Sequence, residues 1–473
     1  MKKIKWSLWL VIALLCSMVI MTACSSDDET GGESDAGTDT NGENNGNGEE
    51  TSSEGGENWE GQSINVQLIG DFDLEDSTDP TTGESRKGLQ DIKDQFESEH
   101  PGATVEFTLM PWEGYTEKTQ AMLTSGDADV YQMPGIADFA AQGLLEPLQP
   151  WIEEDDEFTT DIFIDNQMKG WMALGPDSDE LEVYGLPFLG DARFIAYDKQ
   201  LFDEWGVEYL SEYPTMDEVA EKAKQLTGTN PETGEENHGI WFRGDWSSAF
   251  TLVNLAEGQN GRWGTGFAWD EVEFEFDSPE MVSGLEWLLE MQEYAPEGLV
   301  SNQGSEKWLT HDNDIGIMLN QGPGLIIQAK AQDLTDRIGI VQEFKNDDGM
   351  GGMFAGSPIT MAADSENKEL AWEWMKFATS ETVQKYIFEE TDGNPSIKSV
   401  KNWDSYAEVE NLMAPTIEAM STPYTTPRYH WASSQPRFIL TSEVEAALTG
   451  ERSAQEALEK AQEESMEWLE NRQ

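Results

Sequence analysis

Ser63-Ile-Asn-Val-Gln-Leu-Ile69 alternates and carries β-branched side chains, so it reads as a strand, and an Asp- and Thr-rich loop follows it through Gly83. Leu89, Ile92 and Phe96 then recur at helical spacing until His100-Pro-Gly102 ends the segment, and Thr104-Val-Glu-Phe-Thr-Leu109 alternates as a second strand. Strand, helix, strand is the opening of an α/β sheet. Outward from this stretch, helix starts are marked by chemistry as well as by period. Thr215-Met-Asp-Glu218 has the form of a capping box, with Val219, Ala223 and Leu226 continuing one apolar face until Gly228 closes it. Ser278-Pro279 reads as an N-cap followed by proline in the first turn, leading into Met281, Leu285, Leu288 and Leu289. Ser453-Ala-Gln-Glu456 is a further capping box, opening a terminal helix that carries Leu458, Ala461 and Leu469. No repeat period is visible.

The 473 residues include 93 Asp plus Glu against 28 Lys plus Arg, a formal net charge of −65. Binding to a phosphate backbone needs a basic footprint, so nucleic acid is excluded as a partner, and the same field repels anionic lipid headgroups. Anionic solutes are disfavoured at long range, although a local Arg can hold one. Disorder is the usual consequence of such acidity, but 38% hydrophobic residues and 18 Trp supply a substantial core. The length suits two or three domains. Self-repulsion at this charge is relieved where salt screens it, since the Debye length falls to about 3 Å near 1 M. The expectation is a salt-adapted host, an acidic halophilic surface, and stability that rises between low and molar salt.

Lys2, Lys3 and Lys5 precede an apolar run from Trp6 to Met21, which gives way to Thr22-Ala23-Cys24. A basic start, an uncharged apolar stretch and a small residue before cysteine form a secretory signal, and the run is short for a membrane span. Met-Thr-Ala-Cys24 resembles a bacterial lipobox with Met21 in place of the commoner Leu. The expected arrangement is a signal peptide over residues 1–23 and a lipidated, palmitate-carrying Cys24 at the outer face of the cell membrane. Cys16 is lost with the signal, so the mature chain contains no disulfide. Ser25 to Asn58 has no aromatic, no Val, Ile or Leu, no base and eleven acids, which predicts a flexible, self-repelling tether over 24–58. Residues 59–473 retain 82 acids and 25 bases, a body charge of −57.

Catalytic patterns are scarce. The four histidines, His100, His238, His311 and His430, show no zinc-helix spacing, and no GxSxG elbow or phosphate-binding loop occurs. Gly351-Gly-Met-Phe-Ala-Gly356 is glycine-rich but fits neither nucleotide-binding pattern. So many carboxylates guarantee chance pairs, which leaves a glycosidase pair undecided. Asp71-Phe-Asp73-Leu-Glu75 and Lys345-Asn-Asp-Asp348 read as solvated loop acids in preference to calcium ligands, so neither a metal nor a cofactor is expected.

From Trp59 onward the order of segments resembles the extracellular solute-binding proteins of ABC importers, particularly the large carbohydrate-binding group that includes maltodextrin-binding protein. The resemblance is carried by Phe96-Glu-Ser-Glu-His-Pro-Gly102, Trp112-Glu-Gly-Tyr115, Met122-Leu-Thr-Ser-Gly126 with Asp129-Val130, and Ala141-Gln-Gly-Leu-Leu-Glu-Pro-Leu148. It continues through Tyr184-Gly-Leu-Pro187, Ile195-Ala-Tyr-Asp-Lys-Gln-Leu-Phe202, Pro214-Thr-Met-Asp-Glu218, the turn Asn230-Pro-Glu-Thr-Gly-Glu235, Asn367-Lys-Glu-Leu-Ala-Trp-Glu-Trp-Met-Lys-Phe377 and Asn394-Pro395. It implies an α/β, two-lobed clamp with a hinge of several crossovers, near Pro187–Asp191, Met353–Pro358 and Thr391–Ser396. The implied lobes are 59–188 plus 355–392 and 189–354 plus 393–473. It further implies a monomer that captures a small carbohydrate and passes it to ABC permease subunits, without catalysis.

A neutral sugar presents hydroxyls at its edge and C–H groups on its faces, so its cleft needs planar aromatics with carboxylates, amides or Arg. Trp112, at the end of the second strand, is placed either against a solute or in packing. Asp191 and Arg193, between apolar Phe188-Leu189 and Phe194-Ile195, form either a ligand clamp or a hinge ion pair. In Trp241-Phe-Arg-Gly-Asp-Trp246, Asp245 and Trp246 are favoured for the ligand and Trp241 for the core. Gln321 offers a hydrogen bond from Gln321-Gly-Pro-Gly324, where Gly324 replaces the aromatic common in relatives. Met353, Phe354, Trp431 and Gln435 complete the candidates, whereas Trp372 and Trp374 are expected to pack. Two other classes stay open: a surface glycoside-active enzyme, and an adhesion or sensory module that binds glycan without transport.

Overall fold

The computed structural model describes residues 59–472 apart from 71, 79–82, 84, 177, 245–247, 267–268, 350–354, 392, 423–430 and 432–433. The expected signal, Cys24 and the tether therefore lie outside the described residues, as do Asp245, Trp246, Met353 and Phe354.

Ten strands form two sheets: β1 (Ser63–Ile69), β2 (Thr104–Met110), β3 (Val130–Gln132), β4 (Leu186–Asp191), β5 (Phe194–Asp198), β6 (Gly228–Thr229), β7 (Glu236–Trp241), β8 (Ile315–Gln321), β9 (Ile338–Gln342) and β10 (Ala355–Met361). The helices that matter below are α1 (Gln90–Glu99), α2 (Tyr115–Ser125), α3 (Lys199–Trp205), α4 (Met216–Gln225), α5 (Ser248–Gly258), α6 (Pro279–Met291), α7 (Lys368–Ala378), α8 (Glu410–Ser421), α9 (Gln435–Leu448) and α10 (Ala454–Arg472).

Sheet one has the order β2-β1-β3-β10-β4, and sheet two the order β6-β7-β8-β5-β9. β1 runs parallel to β2 and β3, as the strand, helix, strand opening predicts, while β10 is antiparallel to both β3 and β4. In sheet two β7 and β8 are parallel and β5 is antiparallel to β8 and β9. Both sheets are covered by helices, so central strands such as β8 are buried nearly throughout, and α5 is buried on almost every side.

The helix starts follow their sequence signals. Ser453 and Glu456 form a reciprocal box, the Glu456 N–H donating to Ser453 Oγ at 3.3 Å and the Ser453 N–H to Glu456 Oε2 at 3.1 Å. Ser278 Oγ accepts the Met281 N–H at the start of α6, with Pro279 in the first turn. At α4 only half of the box closes: Thr215 Oγ1 accepts the Glu218 N–H, but the Glu218 carboxylate turns to Ser211. Asn230 Oδ1 accepts two N–H groups of the following turn, and Gly234 supplies its positive φ. Trp372 and Trp374 of α7 are buried, as is Trp241.

Three passages join the sheets. Only Ala192 and Arg193 separate β4 from β5, and residues 343–354 return the chain from β9 to β10. The third runs along the edge strand β4: the Gly190 N–H donates to Asn394 O at 2.9 Å, Ser396 Oγ donates to Pro187 O at 2.8 Å, and Leu189 bridges Pro395. Beyond it α8 packs on β9, with Gln342 Nε2 donating to Pro415 O at 3.0 Å. The crossovers expected near Pro187–Asp191 and Met353–Pro358 therefore fall next to those residues, at 192–193 and before Ala355. Pro187–Asp191 lies within β4 and pairs with β10, from Asp191 opposite Ala355 to Leu186 opposite Ile359. An edge strand tolerates Pro187, and the register shifts between Ser357 and Pro358, where the ladder loses a donor. The result is a mixed α/β fold of two sheets joined by several crossings.

Candidate functional site

β1 and β2 end side by side, and the residues just beyond these two strands form an aromatic platform. Trp112, two residues past β2, is 46% exposed. Its indole lies across Gly70 at the end of β1: a Cβ there would stand 3.2 Å from Trp112 Nε1, and Gly70 has φ +121°. Glycine is the residue that suits both the close approach and the backbone angle. Tyr115, the first residue of α2, meets Trp112 edge to face at 5.5 Å and 87°. Gly114 with φ 66° turns the chain into α2 and sets that angle. Clefts at the C-terminal ends of parallel strands are where α/β sheets hold solutes.

The link between the sheets is charged. Arg193 Nη2 lies 3.0 Å from Asp191 Oδ2, both side chains about a quarter exposed. Asp191 and Arg193 therefore pair with each other across the shortest passage. A Cβ at Gly322 would come within 2.5 Å of Arg193 Nη1, so the guanidinium occupies the space that a side chain at position 322 would need. Gln321, at the end of β8, turns its amide back onto Leu319 O at 3.1 Å. Behind this group Glu343 is buried and accepts the Asn320 N–H at 3.1 Å. Burial pushes its carboxyl up to about 7, against the opposing pull of that hydrogen bond and of Arg193.

From sheet two's side, α9 presents Arg437 and Phe438. The Arg437 guanidinium lies 4.4 Å from the Phe438 ring centroid and 5.5 Å from that of Phe250 on α5, and Phe438 is 42% exposed. Arg437 is also within electrostatic range of Tyr115. Gln435, the exposed first residue of α9, stands two positions earlier.

Of the sequence candidates, Trp112, Asp191, Arg193, Gln321 and Gln435 fall on loop or strand ends at these surfaces. Trp431 does not. It is wholly buried, its Nε1 donates to Gly266 O at 3.2 Å, and its ring packs edge-on against Trp263 at 4.8 Å and Phe274 at 5.2 Å. That cluster draws on distant strands that proximity to Gln435 in sequence does not reveal. Conversely Tyr115, Phe250, Arg437 and Phe438 are absent from the sequence candidates. Tyr115 stands in the Trp112-Glu-Gly-Tyr115 stretch, and Ser434-Gln-Pro436 is a helix-start pattern that places Arg437 and Phe438 in a first turn. Among the described residues no group of three His, Cys, Asp or Glu is arranged to hold a metal ion.

Two sheets joined by several crossings make the architecture of a two-lobed α/β clamp. The family described as bacterial extracellular solute-binding protein matches residues 79–385, and the chain belongs to it. It is 24% identical over 409 residues to the mannitol-binding protein of Pseudomonas aeruginosa, covering 79% of this chain and 88% of that one. Its fold is similar to that of the sugar-binding protein MalE from Xanthomonas citri, with a TM-score of 0.68, 18% identity, and coverage of 87% and 98% of the two chains. A solute-binding protein from Agrobacterium vitis, solved with D-mannitol, gives a TM-score of 0.64, 18% identity, and coverage of 87% and 99%.

Proposed function

We propose that this protein is the lipid-anchored substrate-binding subunit of an ABC importer, which captures a sugar, oligosaccharide or sugar alcohol between its lobes and delivers it to the permease. The observation that carries the reading is the exposed Trp112–Tyr115 platform at the ends of parallel strands, whose ring faces suit a polyhydroxylated solute. The mannitol- and sugar-binding relatives support the same class of solute. In this reading one lobe comprises residues 59–188 with 355–392 and the other 189–354 with 393–473. Closure bends the passages around Asp191 and Arg193, and differential affinity for the closed form drives it. Trp112, Asp191, Arg193, Gln321 and Gln435 contribute from described positions, and Asp245, Trp246, Met353 and Phe354 from the remainder of the cleft. Cys24 holds the protein at the extracellular face of the membrane.

Incubating the full chain with a panel of glycans, neutral and uronate-bearing, and of sugar alcohols tests the reading. Saturable heat with unchanged glycans is expected, and product formation overturns it in favour of an enzyme. Trp112→Ala is expected to cost about 1–3 kcal/mol of affinity by titration calorimetry while leaving the melting temperature in place. Cell fractionation tests the anchor: Cys24→Ser should move the chain from the membrane to the medium, and an unchanged membrane fraction would remove Cys24 from that role.

A further inference from the structure

Arg437 is unusual in this acidic chain. Lys87, Lys93, Arg193, Lys222, Arg337, Lys368 and Lys376 each contact a carboxylate within 3.0 Å. Among the described residues Arg437 has no such partner, and its Nε is buried without a hydrogen-bond acceptor. Its neighbours are aromatic: Phe438 at 4.4 Å, Phe250 at 5.5 Å, and Tyr115 within electrostatic range. Burial lowers its affinity for the proton, as expected for a cation drawn out of water.

A body with 82 acids offered many ways to neutralise this position. Leaving a partly desolvated guanidinium unpaired is costly unless something else completes it. Ring contacts favour the cation but accept no conventional hydrogen bond, so they do not replace a carboxylate, which matches a guanidinium bidentately. Phe438, next to Arg437 in the first turn of α9, is 42% exposed, so this part of α9 reaches solvent.

We infer that the solute carries a carboxylate, as a uronic acid residue does, and that Arg437, stacked among Phe250 and Phe438, is the residue that selects it. The inference rests on the proposed sugar-receptor reading. One negative charge is the suited load. A phosphate monoester would bring nearly two into the field of a body carrying −57, for the same single guanidinium. The long-range field opposes even a monoanion, so binding is expected to tighten as salt rises, opposite to a steered anion-binding site.

The test uses the full chain in mild detergent with galacturonic and glucuronic acids and with di- and trisaccharides that carry a single uronic acid residue, together with their carboxyl-reduced counterparts. At least one uronate is expected to give saturable heat, with its reduced counterpart at least tenfold weaker. Arg437→Gln should erase that preference and Arg437→Lys should retain part of it, with thermal melting verifying that both variants fold. Equal or tighter binding of reduced glycans, or a preference intact in Arg437→Gln, overturns the inference while leaving the sugar receptor standing. Heat from neither set overturns both.

Discussion

Asp198→Ala is expected to lower unfolding stability by about 3–5 kcal/mol, the usual effect of removing one member of a buried ion pair. Asp198 is fully buried at the end of β5 and caps α3, accepting the Leu201 N–H at 3.2 Å. The same carboxylate accepts from Arg337 Nε at 3.0 and 2.8 Å, lies 2.7 Å from Arg337 Nη2, and accepts from Asn313 Nδ2 at 2.7 Å. One side chain thus ties β5, α3, the residues before β8 and the residues before β9. Its loss strands the Arg337 guanidinium, whose side chain is 10% exposed, as well as the Asn313 amide. Chemical denaturation with matched slopes measures the effect. Lys330→Ala is the contrast: its pair with Glu408 at 3.1 Å is exposed on both sides, so a change below about 1 kcal/mol is expected. Equal losses from the two variants would show that Asp198 acts as a cap alone.

Asp198 also shows what a sequence reading reaches. The stretch Ile195-Ala-Tyr-Asp-Lys-Gln-Leu-Phe202 marks the passage from β5 into α3, because strand period and cap are local signals. The partners Asn313 and Arg337 arrive from other strands and carry no local mark. The same division runs through the candidate site. Trp112 is legible because a residue just past a strand must face a sheet end, and Ser278 and Ser453 are legible as caps. Arg193 beside Asp191 is legible as a charged pair. Which role it takes depends on Gly322 and Glu343, brought there by β8 and β9. Trp431 reads like a surface aromatic until Trp263 and Phe274 close over it. Pro187 sits on an edge strand and Pro358 at a register shift, placements that strand pairing alone reveals. What escapes is every property created where elements distant in sequence meet, and Arg437 on α9 with Phe250 on α5 is the most consequential case.

Glu343 yields the second large effect, through pH. It is the first residue past β9, where the chain leaves sheet two for sheet one, and its carboxyl is held at about 7 from an ordinary value of 4.5. Burial is the main cause, and the Asn320 N–H and the Arg193 cation oppose it. A raised pKa means that the folded protein binds this proton more tightly than the unfolded chain does. The group's stabilising contribution is therefore complete below about pH 4.5, falls as pH rises toward about 7, and is lost above that. At 1.36 kcal/mol per pK unit the loss is at most about 3 kcal/mol. Glu343→Gln keeps the shape of the protonated acid without its titration. The stability of this variant relative to the parent is expected to climb by up to that amount across the window and to level off beyond it. A constant difference from pH 4.5 to 8, measured by denaturation at fixed high salt so that the remaining surface charge is screened, would mean that Glu343 stays ionised in the fold. Arg193→Met sharpens the test, because removing the nearby cation should raise the Glu343 pKa further and extend the loss to higher pH. The crossing between the sheets would then be a place where one buried proton and one arginine balance each other.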